Sequence, residues 1–261
     1  MIIKVINLKR NVHRMTNINS VLREFGVQYE RFDAVDGKLQ FSVDDCDKKN
    51  NKRKERFPNS DYLLSSGDIG CACSHLELYK WLIGSTEQNM LILEDDVEID
   101  ASFGEFLNTF KFYHFDFDII FLGYFANELR DPKCRVSSIQ SIKQRHRISK
   151  EFTIGKPVHR IWTTMGYVVS RGGADKLIKA NLDLTMCADE LTSDYFNFGL
   201  NLFTLNPPIV FPSPLGFETE TKSNHKEPNI ANSSMIEILW RKIYNSKIRI
   251  KLMLLIKSFL S

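Results

Sequence analysis

The stretch MLILEDDVEI, residues 90–99, decides the fold and marks the candidate site. Its first four residues are apolar without helical spacing, which indicates a strand buried on both faces. Glu94, Asp95 and Asp96 follow at once, and carboxylates this close repel one another when they are buried without a partner. A divalent cation that carries a diphosphate is the natural partner, because Mg²⁺ and Mn²⁺ prefer hard oxygen ligands. A solvated acidic turn after a core strand is the alternative.

The composition is that of a soluble globular protein, with 261 residues of which 43% are hydrophobic and 26% charged. A net charge of +3 is too small to indicate a nucleic acid partner. The five cysteines show no metal-knuckle spacing, and Cys71 and Cys73 are expected to be buried free thiols in a reducing cytoplasm. The sequence begins with a strand pattern rather than a signal peptide, and no apolar run approaches the roughly 20 residues that span a bilayer. We therefore expect a cytoplasmic protein.

Strand and helix patterns alternate along the chain. Strands are predicted at 2–8, 27–32, 90–93, 118–122, 167–169 and 202–205, and helices at 11–25, 66–83, 102–112, 170–180 and 189–198. This rhythm predicts an α/β fold with a mostly parallel sheet and helices on both faces. Residues 46–56 and 129–150 are polar, lack apolar periodicity and are predicted as surface loops. The second is basic, and closing over a phosphate-bearing ligand is the alternative to a solvated loop.

Residues 235–261 differ in composition from residues 1–234. We expect a main domain at 1–234 to be followed by a separate C-terminal segment at 235–261. The tail carries six basic residues and one acidic residue among many apolar ones, whereas the remainder is slightly acidic. A basic amphipathic helix with aromatic residues is typical of a membrane-surface anchor. A helix docked on the sheet or on a partner subunit is the alternative.

Several motifs, in chain order, resemble those of glycosyltransferase family 25, which includes bacterial lipooligosaccharide galactosyltransferases and collagen galactosyltransferases. The motifs are VINLKR at 5–10, FDAVDG at 32–37, GDIGCACSH at 67–75, LEDDV at 93–97, YVVS at 167–170 and the acidic pair at 189–190. The resemblance implies a GT-A-like, Rossmann-like fold and a nucleotide-sugar donor, with UDP-galactose favoured. It also implies Mn²⁺ or Mg²⁺ as cofactor, and inverting transfer of a hexose to a lipooligosaccharide or another glycan acceptor.

Within this resemblance the acidic motif becomes the metal site. We expect Asp96 to bind the metal with the help of Asp95, and Glu94 to hold the ribose hydroxyls or a metal-bound water. GT-A enzymes often supply a late metal-binding histidine, and His225 is the candidate here. A metal between the two phosphates would neutralise the charge that develops on the leaving group.

The donor nucleotide is expected to contact Asn7, Lys9, Arg10 and Arg14, which follow the first strand. For Arg14 a plain solvated charge is the alternative. His75, near the start of a predicted helix, is either a donor-site residue or a structural hydrogen-bonding histidine.

An inverting transferase needs a general base that takes the proton of the acceptor hydroxyl. Asp189 and Glu190 are the candidates, and because carboxylates are also favoured at a helix start, a capping role is the alternative. A lipid-linked acceptor would bring the protein to the inner leaflet of the plasma membrane.

Two other classes of function compete with a glycosyltransferase. A nucleotidyltransferase or metal-dependent phosphohydrolase would use the same acids, but a nucleotidyltransferase is expected to carry a glycine-rich loop with lysine after its first strand. The sequence there, NLKRN at 7–11, has no glycine. A non-catalytic glycan-binding or partner-binding member is the other alternative, and the intact acidic motifs argue against it.

Overall fold

A computed structural model describes residues 1–110, 115–124, 142–158 and 160–213 of the protein. The strands are β1 (Ile2–Asn7), β2 (Glu30–Asp33), β3 (Asn89–Glu94), β4 (Val97–Ile99), β5 (Ile119–Phe121), β6 (Ile142–Arg147), β7 (Thr153–Pro157), β8 (Gly166–Ser170), β9 (Leu202–Asn206) and β10 (Val210–Pro212). The helices are α1 (Val12–Glu24), α2 (Gly37–Gln40), α3 (Val43–Arg56), α4 (Ser66–Gly84), α5 (Phe103–Phe110), α6 (Arg171–Ala180) and α7 (Ala188–Thr192).

Eight strands form one sheet in the order β2-β1-β3-β8-β5-β9-β7-β6, and β4 pairs with β10 in a small separate ladder. In the large sheet β1 is parallel to both β2 and β3, and β5 is parallel to β9. Strand β8 is antiparallel to β3 and β5, and β7 is antiparallel to β9 and β6. Within the large sheet, all strands except β7 and β8 therefore run in one direction. The predicted α/β, mostly parallel sheet flanked by helices is confirmed.

The sheet is packed with apolar side chains on both of its faces. Leu91 and Leu93 of β3 join a core that includes side chains of α1 and α5. Met90 and Ile92 of the same strand join a second core that includes side chains of α4 and α6. All four are completely buried, which confirms the prediction of a strand covered on both faces.

The ends of three helices follow local chemistry. Helix α1 is followed by Gly26 at φ +63°, a left-handed conformation that glycine adopts without steric cost. Ser65 begins α4 with a capping box, in which its hydroxyl accepts from the Asp68 amide while the Asp68 carboxylate accepts from the Ser65 amide. The Ser170 hydroxyl caps α6 by accepting from the Gly173 amide.

The prediction of a surface loop at 46–56 is wrong, because these residues belong to helix α3. A capping box of Ser42 and Asp45 begins the helix. The helix was missed because it buries polar side chains, Asn50 and Arg53, in place of an apolar stripe. Asn50 bonds both backbone groups of Leu64, so its burial leaves no unpaired amide.

Two further expectations need correction. The basic stretch at 129–150 is not a loop throughout, because 142–147 form β6; its first part, up to residue 141, lies outside the described residues. The helix predicted at 189–198 ends at Thr192. Asp194 and Asn197 adopt positive φ angles there, and the Asp194 carboxylate accepts from the amides of Gly199 and Leu200, so the chain turns away.

Residues 214–261 lie outside the described part of the chain, so the division at residue 234 and the basic amphipathic helix remain predictions. Among the described residues, no helix combines the length and the apolar character needed to cross a membrane.

Candidate active site

The sheet brings the acidic motif next to the end of β1. Strands β1 and β3 are parallel neighbours, and Ile6 stands opposite Glu94 in their register. The next residue, Asn7, is buried and its side-chain amide donates to Asp95 Oδ2 at 2.5 Å. Its carbonyl oxygen accepts from Arg31 Nε at 2.8 Å, which fixes the orientation of the amide. Asn7 thus holds the Asp95 carboxylate by a hydrogen bond, at the edge of the sheet where open α/β sheets bind ligands.

Helix α1 supplies a cation to the same acids. Arg14 Nη1 lies 3.4 Å from Asp95 Oδ1 and 3.2 Å from Asp96 Oδ2, and its side chain is only 11% exposed. The alternative of a plain solvated charge at Arg14 does not fit this burial. One guanidinium does not offset three neighbouring carboxylates. Burial and the charge of Glu94 raise the pKa of Asp96 to about 7, and burial raises the pKa of Asp95.

Asp189 reaches the acidic cluster through a threonine. Thr164 Oγ1 lies 2.5 Å from Glu94 Oε1 and 3.1 Å from Asp189 Oδ1. Burial, followed by the charge of Glu94, raises the pKa of Asp189 to about 6. The single hydroxyl proton of Thr164 cannot form a hydrogen bond to both carboxylates at once. The arrangement therefore favours protonation of Asp189 as the pH falls.

Glu190 has entirely different surroundings from Asp189. Its two oxygens accept from Arg53 Nη2 at 2.6 Å and Arg53 Nη1 at 2.8 Å, and Arg53 is 1% exposed. Glu190 Oε2 also accepts from the Cys187 amide at 3.2 Å and completes a capping box at the start of α7. The capping role considered for the acidic pair therefore applies to Glu190.

His75 is 1% exposed and lies on α4 behind Glu94. Its Nδ1 is 2.7 Å from the hydroxyl of Tyr167, which in turn lies 2.6 Å from the hydroxyl of Tyr79. Its Nε2 lies 3.5 Å from Glu94 Oε1, and this buried nitrogen makes no hydrogen bond of good geometry within the described residues. Three potential metal-ligand atoms lie within 4.8 Å of one another here, one each from Cys71, His75 and Glu94.

A cavity of about 210 Å³ opens over these groups. Its walls come from the segments that follow β1, β2 and β3 and from the first turns of α4. The charged, thiol and imidazole side chains in its lining are those of Arg10, Arg14, Asp36, Lys38, Cys71, His75, Glu94, Asp95 and Asp96. Lys9 is exposed and is absent from this lining, and Asn7 lies beneath it. His225 lies outside the described residues.

The cavity wall depends on two glycines that touch. A Cβ atom on Gly70 would stand 2.6 Å from the Gly37 nitrogen and 2.8 Å from the Val35 carbonyl oxygen, and a Cβ on Gly37 would collide with the Ser66 carbonyl. Side chains at these positions would separate α2 from α4. The predicted motifs FDAVDG and GDIGCACSH therefore meet through their glycines.

The residues in the cavity suit a hard divalent cation. Asp95 and Asp96 offer carboxylate oxygens, the ligands that Mg²⁺ and Mn²⁺ prefer. Burial, which is the largest cause, and the charge of Glu94 raise the pKa values of both carboxyl groups, and a bound cation would favour their ionised forms. Sequence reasoning found these acids but missed Thr164, for which there is no local signal. Cys71 and Cys73 are free thiols, as expected, but they are only partly buried.

The structure is that of an α/β protein in which the acidic cluster after β3, beside the end of β1, faces a cavity that basic side chains also line. The family profile described as "Glycosyltransferase family 25 (LPS biosynthesis protein)" matches residues 1–192. The chain belongs to glycosyltransferase family 25, as its motifs predicted.

Individual relatives are more distant. The chain is 23% identical over 265 residues to the human procollagen galactosyltransferase 2, covering 94% of this chain and 40% of that protein. It is 29% identical over 188 residues to a glycosyltransferase 25 family member of Anopheles gambiae, covering 68% of this chain and 28% of that protein. The chain thus spans less than half the length of these relatives. A galactosyltransferase solved with donor and acceptor sugar analogues aligns at 9% identity and a TM-score of 0.38, covering 78% of this chain and 73% of that one, which is too low for an inference.

Proposed function

We propose that the protein is a metal-dependent, inverting glycosyltransferase that moves a hexose, galactose from UDP-galactose, to a glycan acceptor. The observation that carries the proposal is the cluster of Glu94, Asp95 and Asp96 facing a cavity beside Arg14. Membership of family 25 supports the reaction class, and the name of the human relative supports galactose as the sugar.

Asp95 and Asp96 are the proposed ligands of Mn²⁺ or Mg²⁺, with His225 as a further candidate from the tail. When bound, such a cation supplies positive charge for the diphosphate leaving group. Arg10 and Arg14 line the cavity, and we propose that they contact the phosphates of the donor, with Lys9 exposed nearby. Glu94 is proposed to bind the ribose hydroxyls, and His75 to support Glu94 from behind.

Asp189 is the proposed general base, because its raised pKa of about 6 lets it hold a proton better than an ordinary aspartate while it remains largely ionised at neutral pH. Thr164 orients its carboxylate. Of the two acids considered from the sequence, we prefer Asp189 over Glu190, because both oxygens of Glu190 are already engaged by Arg53.

The proposed acceptor is a lipooligosaccharide or another lipid-linked glycan at the cytoplasmic leaflet. The basic composition of residues 235–261 supports a peripheral association with anionic lipid, since each Lys or Arg near such a surface contributes about 1 kcal/mol.

A donor screen tests the proposal. Purified protein is incubated with UDP-sugars and Mn²⁺, and released UDP is measured with and without a glycan acceptor. We expect release from UDP-galactose that stops in EDTA and in the Asp96→Asn variant. The matched control is Asp100→Asn, which changes an exposed aspartate four residues further along. Full activity of a folded Asp96→Asn protein would contradict the metal assignment.

A further inference from the structure

We propose that Cys71, His75 and Glu94 form a binding site for Zn²⁺ in the wall of the cavity, separate from the site proposed at Asp95 and Asp96. The three residues come from two elements that the fold brings together. Cys71 and His75 are one turn apart on α4, a spacing that places both side chains on the same face of the helix. Glu94 ends strand β3, which lies beside that helix.

The distances fit a tetrahedral ion. His75 Nε2 and Glu94 Oε1 are 3.5 Å apart. Two ligand atoms at about 2.1 Å from a tetrahedral zinc ion are themselves separated by about 3.4 Å. All three ligand atoms lie within 4.8 Å of one another, so small side-chain rotations bring the sulfur into the same shell. All three residues line the cavity, so a water or a ligand oxygen from the cavity would complete the coordination.

The environment of His75 is that of a metal-binding histidine. Its Nε2 is buried and makes no well-formed hydrogen bond to any described residue, which is costly for a polar atom unless something binds it. Its Nδ1 lies 2.7 Å from the Tyr167 hydroxyl. If Nδ1 carries the proton and donates it to Tyr167, Nε2 presents its lone pair toward Cys71 and Glu94. Metal-binding histidines are oriented in this way by a partner on the other nitrogen.

Ligand chemistry selects zinc over the ions proposed for the acidic pair. A thiolate and an imidazole suit a borderline-soft cation, whereas Mg²⁺ and Mn²⁺ prefer carboxylates. Burial and the charges of Glu94 and Asp189 raise the pKa of the Cys71 thiol well above its usual value, so the free thiol stays protonated and unreactive. Zinc binding would release that proton to solvent as the Zn–S bond forms. The competing arrangement is a direct pair of His75 with Glu94 at 3.5 Å, and the cobalt experiment below distinguishes the two.

Occupation of this site affects the reaction only if the proposed function is right. In that function Glu94 binds the ribose hydroxyls of the donor. A zinc ion bound to Glu94 would make this carboxylate unavailable to the donor. We therefore expect Zn²⁺ to inhibit UDP release in the presence of Mn²⁺, and the inhibition constant to rise at least tenfold in Cys71→Ser.

Cobalt substitution tests the site without any activity measurement. Co²⁺ added to the metal-free, reduced protein should give a thiolate-to-cobalt charge-transfer band with one equivalent of metal. The band should disappear in Cys71→Ser and persist in Cys73→Ser, which changes a thiol two residues away on the same helix. Zinc should displace the cobalt, and circular dichroism should show that both variants are folded. Asp96→Asn should retain the band.

The outcomes separate the two proposals. If the wild-type protein gives no such band, or if the band survives in Cys71→Ser, the zinc site is wrong. If the band is lost in Asp96→Asn, the ion belongs to the acidic pair and there is no separate site. If the cobalt band behaves as expected but no UDP-sugar is turned over, the zinc site stands and the proposed function fails.

Discussion

Replacing Glu190 with glutamine should unfold the protein more easily without removing its general base. All five N–H groups of Arg53 are engaged: Nε by the Tyr62 carbonyl, Nη1 by Thr185 and Glu190, and Nη2 by Ser60 and Glu190. Glu190→Gln leaves this buried guanidinium without its counter-charge. Removing one partner of a buried ion pair costs about 3–5 kcal/mol. At about 3 °C per kcal/mol for a protein of this size, Tm should fall by roughly 10–15 °C.

An exposed ion pair that also involves helix α3 provides the control. Lys52 and Asp183 are 3.1 Å apart, and their side chains are 60% and 62% exposed. Exposed pairs contribute about 0–1 kcal/mol, so Asp183→Asn should lower Tm by no more than about 3 °C. Calorimetry or urea unfolding measures both variants under identical conditions.

Turnover measured below the unfolding transition completes the test. Asp189→Asn should lower kcat by about 10²–10⁴-fold, the usual contribution of a general base, with little change in Tm. Glu190→Gln should lower kcat far less while lowering Tm. The opposite pattern, with Glu190→Gln stable but inactive and Asp189→Asn active, would refute the assignment of the base and of the structural pair together.

Three other predictions concern pH, the metal and the tail. Because Asp189 must be ionised to accept a proton and its pKa is about 6, kcat/KM should fall as the pH falls through about 6, and this limb should vanish from the residual activity of Asp189→Asn. Because the pKa of Asp96 is raised to about 7 and metal binding displaces its proton, the Mn²⁺ concentration for half-maximal UDP release should decrease from pH 6 to pH 8; a constant value would contradict the role of Asp96. Removing residues 235–261 should abolish binding to anionic liposomes while leaving activity on a soluble acceptor, and unchanged liposome binding would refute the proposed anchor.

Sequence patterns predicted those parts of the protein whose signal is local. Four apolar residues before Glu94 sufficed to predict a central strand, and because parallel strands end at one edge of a sheet, the position of the acids followed. The helix boundaries next to Gly26 and at Ser170 were also predicted, since each depends on neighbouring residues.

The remaining features depend on contacts between distant segments. Helix α3 has no apolar stripe because it buries polar side chains. One of them, Arg53, has its partner, Glu190, 137 positions further along the chain. Nothing in the sequence around Thr164 distinguishes it from other residues that precede a strand. The pairing of β8 with β3 brings it next to Glu94. Cys71 and His75 show helical spacing in the sequence, but their third neighbour is set by the packing of α4 against the end of β3.

The contact between Gly37 and Gly70 has a consequence for redesigning the protein toward other donors. One wall of the cavity is formed there by backbone against backbone, with no room for a Cβ at either glycine. The width of the cavity at this wall is therefore set by the backbone. Substitutions in the lining can change the chemistry of the wall but cannot widen the cavity there. A mutant library that seeks a larger sugar should hold both glycines constant and vary lining positions whose side chains form the boundary, such as Leu8 and Asn11.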